Sequence, residues 1–218
     1  MTKPTSSAEA DFNHLVAPVV AHYERSLARH GPTAEGMDWK DSESQALRFE
    51  VLAGVCPLEG RNVLEVGCGA GHLFDHLRAR HPGVAYAGVD ISAAMIEAAR
   101  TRHPEATFHC ADLLGGDSLE PADVVMSSGV FHVKLDVGDA EWAEYVRKSL
   151  DRLYAHCTVA LAFNLMSDRV DYRNEKLHHA NSDDVVAYCR SELSPFVTLR
   201  QDYPLYEFTV YVHRHAPR

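Results

Sequence analysis

Nowhere in its 218 residues does this chain run apolar for the ~20 positions that a membrane-spanning helix needs. The first residues, MTKPTSSAEADFNHL, hold no signal-peptide core, which predicts a cytoplasmic protein. Cysteine is scarce and unpatterned. Cys56, Cys68, Cys110, Cys157 and Cys189 form no C-x-x-C pair, so neither a disulfide framework nor a zinc site is favoured. Positive charge is in deficit: the net charge is −10, and no basic stripe is present to track phosphates. Nucleic acid is therefore not an expected partner, and neither is a membrane. Histidine is plentiful, yet no compact cluster of histidines and acids marks a metal site; His178 and His179 are adjacent and point apart on either a helix or a strand. Repeats and low-complexity tracts are missing too. The oligomeric state stays open, a homodimer included.

What remains is an ordinary globular composition, 46% apolar and 24% charged. Residues 11–30 have helical periodicity, with Pro18 as a kink or interruption. SESQALRFEVLAGV reads as an amphipathic helix opening on a Ser42 cap. These two helices precede the first strand, and residues 1–41 are expected to form a helical lid on a domain of residues 42–218. From residue 61 strands and helices alternate. RNVLEV, VAYAGV, ATFHCA, ADVVMSS and TVALAFNL read as strands. Helices capped by Ser92 and Asp139 stand among the segments between them. The alternation predicts βαβ units and a parallel sheet. SDDVVAYCRSEL then reads as a short helix, and FVTLRQDY with YEFTVYVHR as a terminal hairpin.

The first strand runs into VLEVGCGAGHL. A glycine turn alone is compatible with a plain strand-to-helix corner. Three acids change that reading. Glu65 precedes the first glycine, Asp90 ends the second strand, and Asp112 follows the third. All three fall at carboxyl ends of strands, where open α/β sheets bind ligands. A pyrophosphate would be repelled by an acid at the Glu65 position, whereas a cationic group suits it. Asp90 suits the vicinal hydroxyls of a ribose, and Asp112 the exocyclic amine of adenine. A cationic amino-acid moiety, a ribose and an adenine together describe S-adenosyl-L-methionine.

On VLEVGCGAGHL, YAGVDIS and CADL, over roughly residues 45–213, the chain resembles the class I S-adenosylmethionine-dependent methyltransferases. That resemblance implies a Rossmann-like α/β fold: a seven-stranded, mostly parallel sheet with an antiparallel terminal strand. It also implies site roles. Glu65, Gly67 and Gly69 face the methionine moiety. Asp90 binds the ribose, Ile91 and Met95 pack on the adenine, and Asp112 and the Leu113 backbone read the adenine edge. Ser128 lies near the sulfonium. Met95 equally fits a core-facing helical position, and Cys68 is a small residue of the turn.

The acceptor is less specified. Base-modifying families carry an Asn/Asp-Pro-Pro-aromatic motif after the fourth strand, where this chain has SSGVFHVK. In an acidic protein, the segment SDRVDYRNEKLHH is rich in cations. Arg169, Arg173 and Lys176 are the expected holders of an anionic acceptor, unless Asp168, Asp171 and Glu175 make it a solvated loop. Tyr23 and His132 are further candidates for contact with the acceptor, Tyr23 also fitting a buried helix face. Trp39 and Arg48 either close over the donor or are structural. HYERSLARHGPTAEGMDWKDSESQALRF, with the basic segment, is similar to phosphonate O-methyltransferases of phosphonate-antibiotic pathways. That likeness implies methylation of a small anionic metabolite on a phosphonate oxygen. N-methylation of a small amine or O-methylation of a carboxylate are the enzymatic alternatives. A donor-binding regulatory module is the non-enzymatic one.

Overall fold

The computed structural model describes residues 12–217; residues 1–11 of the expected lid lie outside them. Helices α1 (Asn13–His30) and α2 (Ser42–Ala53) come first. Then follow β1 (Asn62–Val66), α3 (His72–Arg80), β2 (Ala85–Asp90), α4 (Ala93–Arg102), β3 (Thr107–Cys110) and β4 (Ala122–Ser127). After a loop come α5 (Asp139–Ala155), β5 (Cys157–Ser167), β6 (His179–Ala180), α6 (Ser182–Tyr188), β7 (Val197–Arg200) and β8 (Glu207–His213).

The sheet order is β3-β2-β1-β4-β5-β8-β7, and the short β6 pairs with the end of β5. All neighbours from β3 to β5 are parallel, and β8 is antiparallel to both β5 and β7. The seven long strands and the terminal hairpin match the expectation; β6 is an addition. Its two residues extend the protruding tip of β5, whose partners there are Met166 and Ser167.

The central strands β4 and β5 are apolar on both faces because helices cover both. On one face α1 and α5 contribute Leu15, Val19, Trp142, Val146 and Leu150 to a core with Val125, Leu161 and Phe208. On the other, α2 and α3 contribute Phe49, Leu52, Leu73 and Leu77 against Val63, Val124 and Ala162. Local details differ from expectation. Pro18 sits inside α1 without ending it. The α2 cap is Asp41, whose Oδ1 accepts the Ser44 N–H at 2.7 Å, rather than Ser42. Gly138 caps α5, and Asp139 takes the first helical turn, where an acid favours the helix dipole. Ser92 caps α4 as expected, accepting from the Met95 N–H.

Candidate active site

Strand order reverses between β1 and β4, so the connections leaving their carboxyl ends depart to opposite sides and open a crevice there. A cleft occupies that crevice. It is lined by Glu65, Gly67 and Gly69 after β1, Asp90 and Ile91 after β2, Met95 of α4, Asp112 and Leu113 after β3, and Ser128 after β4. One cleft thus gathers the nine residues expected to meet the donor. Tyr23 of α1, Met37 and Trp39 close it from the N-terminal side.

The turn after β1 must be glycine at its first position. Gly67 has φ +74°, and a Cβ there would lie 2.1 Å from Val130 Cγ2. Asp90 holds the turn from β2: Oδ2 accepts the Gly69 N–H and Oδ1 the Ser92 N–H, each at 2.9 Å. Burial pushes the Asp90 pKa up, while these N–H groups pull it down. Glu65 is 3% exposed and accepts from the Tyr86 hydroxyl. Burial raises its pKa from 4.5 to about 8. A buried acid so short of compensating positive charge fits a ligand that brings a cation. Asp112 has one oxygen, Oδ1, engaged by the Gly115 N–H at 2.7 Å. Met95 is 3% exposed and packs with Met37 and Ala70 while also lining the cleft. Tyr23 stands on the Asp90 side, and burial with Asp38 and Asp90 raises its pKa.

A methyltransferase domain model matches residues 64–159. Rv1506c of Mycobacterium tuberculosis (strain ATCC 25618 / H37Rv), provisionally named a methyltransferase, is 33% identical over 158 residues, 70% of this chain and 93% of that protein. The chain belongs to the class I S-adenosylmethionine-dependent methyltransferases. The trans-aconitate 2-methyltransferase of Afipia carboxidovorans is 33% identical over 103 residues, 43% of this chain and 40% of that protein. This chain therefore spans well under half of that relative. The N-methyltransferase NodS from Bradyrhizobium japonicum WM9, in complex with S-adenosyl-L-homocysteine, shares the fold: TM-score 0.57 at 18% identity, covering 89% of this chain and 97% of that one.

The methyltransferase does not bring the three expected loop cations to its cleft. Arg169 is paired with Asp183 at 3.4 Å and its side chain is 65% exposed. Lys176 is paired with Asp136, and Arg173 donates to the Asp168 carbonyl at 3.2 Å. Arg173 and Lys176 line a separate, shallower groove with Lys134 and His179. Two of the three cations pair with acids outside the segment, Asp183 of α6 and Asp136 of the loop after β4, and the third with a backbone carbonyl, so none is directed to the cleft. The segment is also stitched to the loop after β4: the Lys134 and Leu135 N–H groups donate to the Lys176 carbonyl, and the His178 N–H to the His132 carbonyl.

Beyond Ser128 lies a polar network that periodicity did not single out. The Gly129 N–H donates to Asn164 Oδ1 at 2.8 Å, and Asn164 Nδ2 donates to Glu207 Oε2 at 2.7 Å. Arg48 donates to Glu207 Oε1 through Nε and Nη2. The Arg48 guanidinium lies 4.3 Å over the Trp39 ring, and His132 meets that ring edge-on at 5.8 Å. Trp39 in turn presses on Gly129, where a Cβ would lie 2.5 Å from its ring. Three atoms here find no hydrogen-bond partner among the described residues: Ser128 Oγ, Arg48 Nη1 and His132 Nε2. His132 is 6% exposed. Burial lowers its pKa, as do Arg48 and His179, against Glu207 and a hydrogen bond to the Asn164 backbone. Among the described residues, no group of three or more His, Cys, Asp or Glu is arranged to hold a metal ion. No helix among them is long and apolar enough to cross a membrane.

Proposed function

We propose that this methyltransferase transfers the methyl group of S-adenosylmethionine to an oxygen of a small anionic metabolite, a phosphonate first and a carboxylate next. The donor supplies an electrophilic methyl carbon on a sulfonium. The chain's residues hold it as follows. Glu65 answers the α-ammonium, with Gly67 and Gly69 leaving room beside the backbone. Asp90 accepts from the ribose hydroxyls, and Asp112 and the Leu113 N–H take the adenine edge. Ile91 and Met95 pack on the ring, and Ser128 stands by the sulfonium. Tyr23 and α1 cover this side of the cleft.

The observation that carries the reading is the gathering of Glu65, Asp90 and Asp112 in one cleft whose other end closes on Trp39, backed by the Arg48 guanidinium. Acids serve the cationic donor; the acceptor's place, on this reading, is beside Trp39. The relative that acts, by its name, on trans-aconitate supports a small acidic acceptor. Because positive sulfur and negative oxygen neutralise each other as the bond forms, a cation on the attacking oxygen would favour the ground state over the transition state. Holding the other oxygens avoids this. A phosphonate offers two to hold and one to react; a carboxylate offers only one of each.

A second reading, N-methylation of a small amine, draws support from the unpartnered His132 Nε2, which would take the amine's proton. Incubation with methyl-labelled donor and a panel of phosphonates, carboxylates and amines separates them. Label recovered as a phosphonate methyl ester is the expected result. Label in amines alone would replace the acceptor class, and label in none would favour a donor-binding module.

A further inference from the structure

Along β1, successive side chains face opposite sides of the sheet. Glu65 therefore shares a face with Val63, which belongs to one core with Phe49 of α2 and Leu73 of α3. Gln45 lies one helical turn before Phe49 on the same stripe of α2, and Leu73 is the second residue of α3. Gln45, Phe49, Glu65 and Leu73 all line the cleft, so α2, β1 and α3 meet at one end of it. We propose that Gln45, together with the N-terminus of α3, holds the α-carboxylate of S-adenosylmethionine at this end. The assignment rests on the reading of Glu65 as the partner of the α-ammonium, because one carbon of the donor carries both groups.

Gln45 is 5% exposed, yet its side-chain amide makes no hydrogen bond among the described residues. Solvent still reaches its Oε1 and Nε2, whereas Ser128 Oγ is sealed. A buried amide left without a partner is costly, and this one opens on a cleft where a ligand can supply it. Its neighbours on α2 are committed elsewhere: the Ser44 hydroxyl donates to the Asp41 carbonyl, and Arg48 to Glu207. Helix α3 starts after Gly71, which gives it no side-chain cap. Its first N–H groups and its dipole therefore remain available to an anion.

Both devices are uncharged, and that decides what they select. A lysine or arginine in this place would compete with the α-ammonium for Glu65. The Gln45 amide donates through Nε2 without drawing on that carboxylate. The end of the cleft is thus matched to a zwitterion: an acid for the cation, an amide and a helix end for the anion. Removing the carboxylate from the ligand should be felt at Gln45, and removing the ammonium at Glu65.

The test is calorimetric titration of the full chain with three nucleosides. S-adenosylhomocysteine carries both charged groups, its decarboxylated form S-adenosyl-3-thiopropylamine only the ammonium, and methylthioadenosine neither. Wild type is expected to bind S-adenosylhomocysteine about 10- to 100-fold more tightly than the decarboxylated amine, the equivalent of one hydrogen bond to a charged group. Gln45→Ala should weaken S-adenosylhomocysteine by a similar factor and leave the other two ligands unchanged. Gln45→Glu, equal in size, should reverse the preference, because its carboxylate repels one ligand and attracts the other. Unchanged binding of methylthioadenosine reports that each variant is folded. Three results would overturn the assignment: wild type binding S-adenosylhomocysteine and the amine alike, Gln45→Ala weakening both alike, or Gln45→Ala weakening neither. The last includes a variant that stops methyl transfer alone, which would give Gln45 to the acceptor. Any of these leaves Glu65 in its role so long as both ligands outbind methylthioadenosine. Methylthioadenosine bound by wild type as tightly as S-adenosylhomocysteine would remove the Glu65 reading as well.

Discussion

Asp90 and Gly69 are joined across the mouth of the cleft, the carboxylate accepting the turn's N–H at 2.9 Å. One side chain thereby shapes the glycine turn and lines the cleft, where the proposed donor would meet it. Asp90→Ala should loosen both at once. S-adenosylhomocysteine affinity is expected to fall about 10- to 100-fold, the equivalent of one or two hydrogen bonds to a charged group. Calorimetry checks this; unchanged affinity would mean that the donor lies elsewhere.

Gly67→Ala tests the turn sterically. The residue has positive φ, and its new methyl would overlap Val130. We expect a stability loss on the order of 2–3 kcal/mol, from backbone strain plus overpacking. Urea unfolding measures it. Val130→Ala should recover part of the loss if the clash is the cause.

Glu65 predicts a pH dependence with a definite sign. Its folded pKa, about 8, exceeds the ordinary 4.5, so the native state holds the proton more tightly than the unfolded chain. The contribution to stability is full below about pH 4.5 and is lost as pH rises through about 8, by a few kcal/mol at most. Glu65→Gln should flatten urea midpoints across that window. A cationic donor favours the carboxylate, so binding should release a proton below pH 8. Calorimetry in two buffers of different ionisation enthalpy detects it, and Glu65→Gln should abolish it.

Helix α1, whose Tyr23 lines the cleft, is tied down at Ser92, whose Oγ donates to Glu24 Oε1 of α1 at 2.7 Å. Glu24→Ala should speed donor release several-fold with little change in melting temperature. Ser92→Ala should do the same and also cost about 1 kcal/mol through the lost α4 cap. Stopped-flow release and thermal melts separate the two effects.

The lining of the cleft was legible because its residues are local signals: acids at strand ends and glycines in a turn, each fixed by its own few neighbours in sequence. The polar network beyond Ser128 was not. Arg48 and Glu207 are 159 residues apart and meet only because β8 inserts beside β5. Asn164 and Glu207 are polar residues in apolar strands, 1% and 3% exposed. That mismatch was the available signal, since buried polar groups need partners. The basic loop misled for the converse reason. Two of its cations pair with Asp183 and Asp136, acids outside the segment that only the three-dimensional fold brings beside them. Helix and strand types were readable throughout, while caps shifted by one residue at α2 and α5.

The backbone bonds from Lys134 and Leu135 to the Lys176 carbonyl mean that the outer segment buttresses the loop after β4, which carries Gly129 and Val130 into the cleft. Disturbance of that segment would propagate inward through main-chain atoms. A kinetic defect from altering Lys176 would therefore not identify it as a substrate contact. Conversely, changes in this outlying stretch would reach the cleft through the loop after β4, with none of the groups that line it replaced.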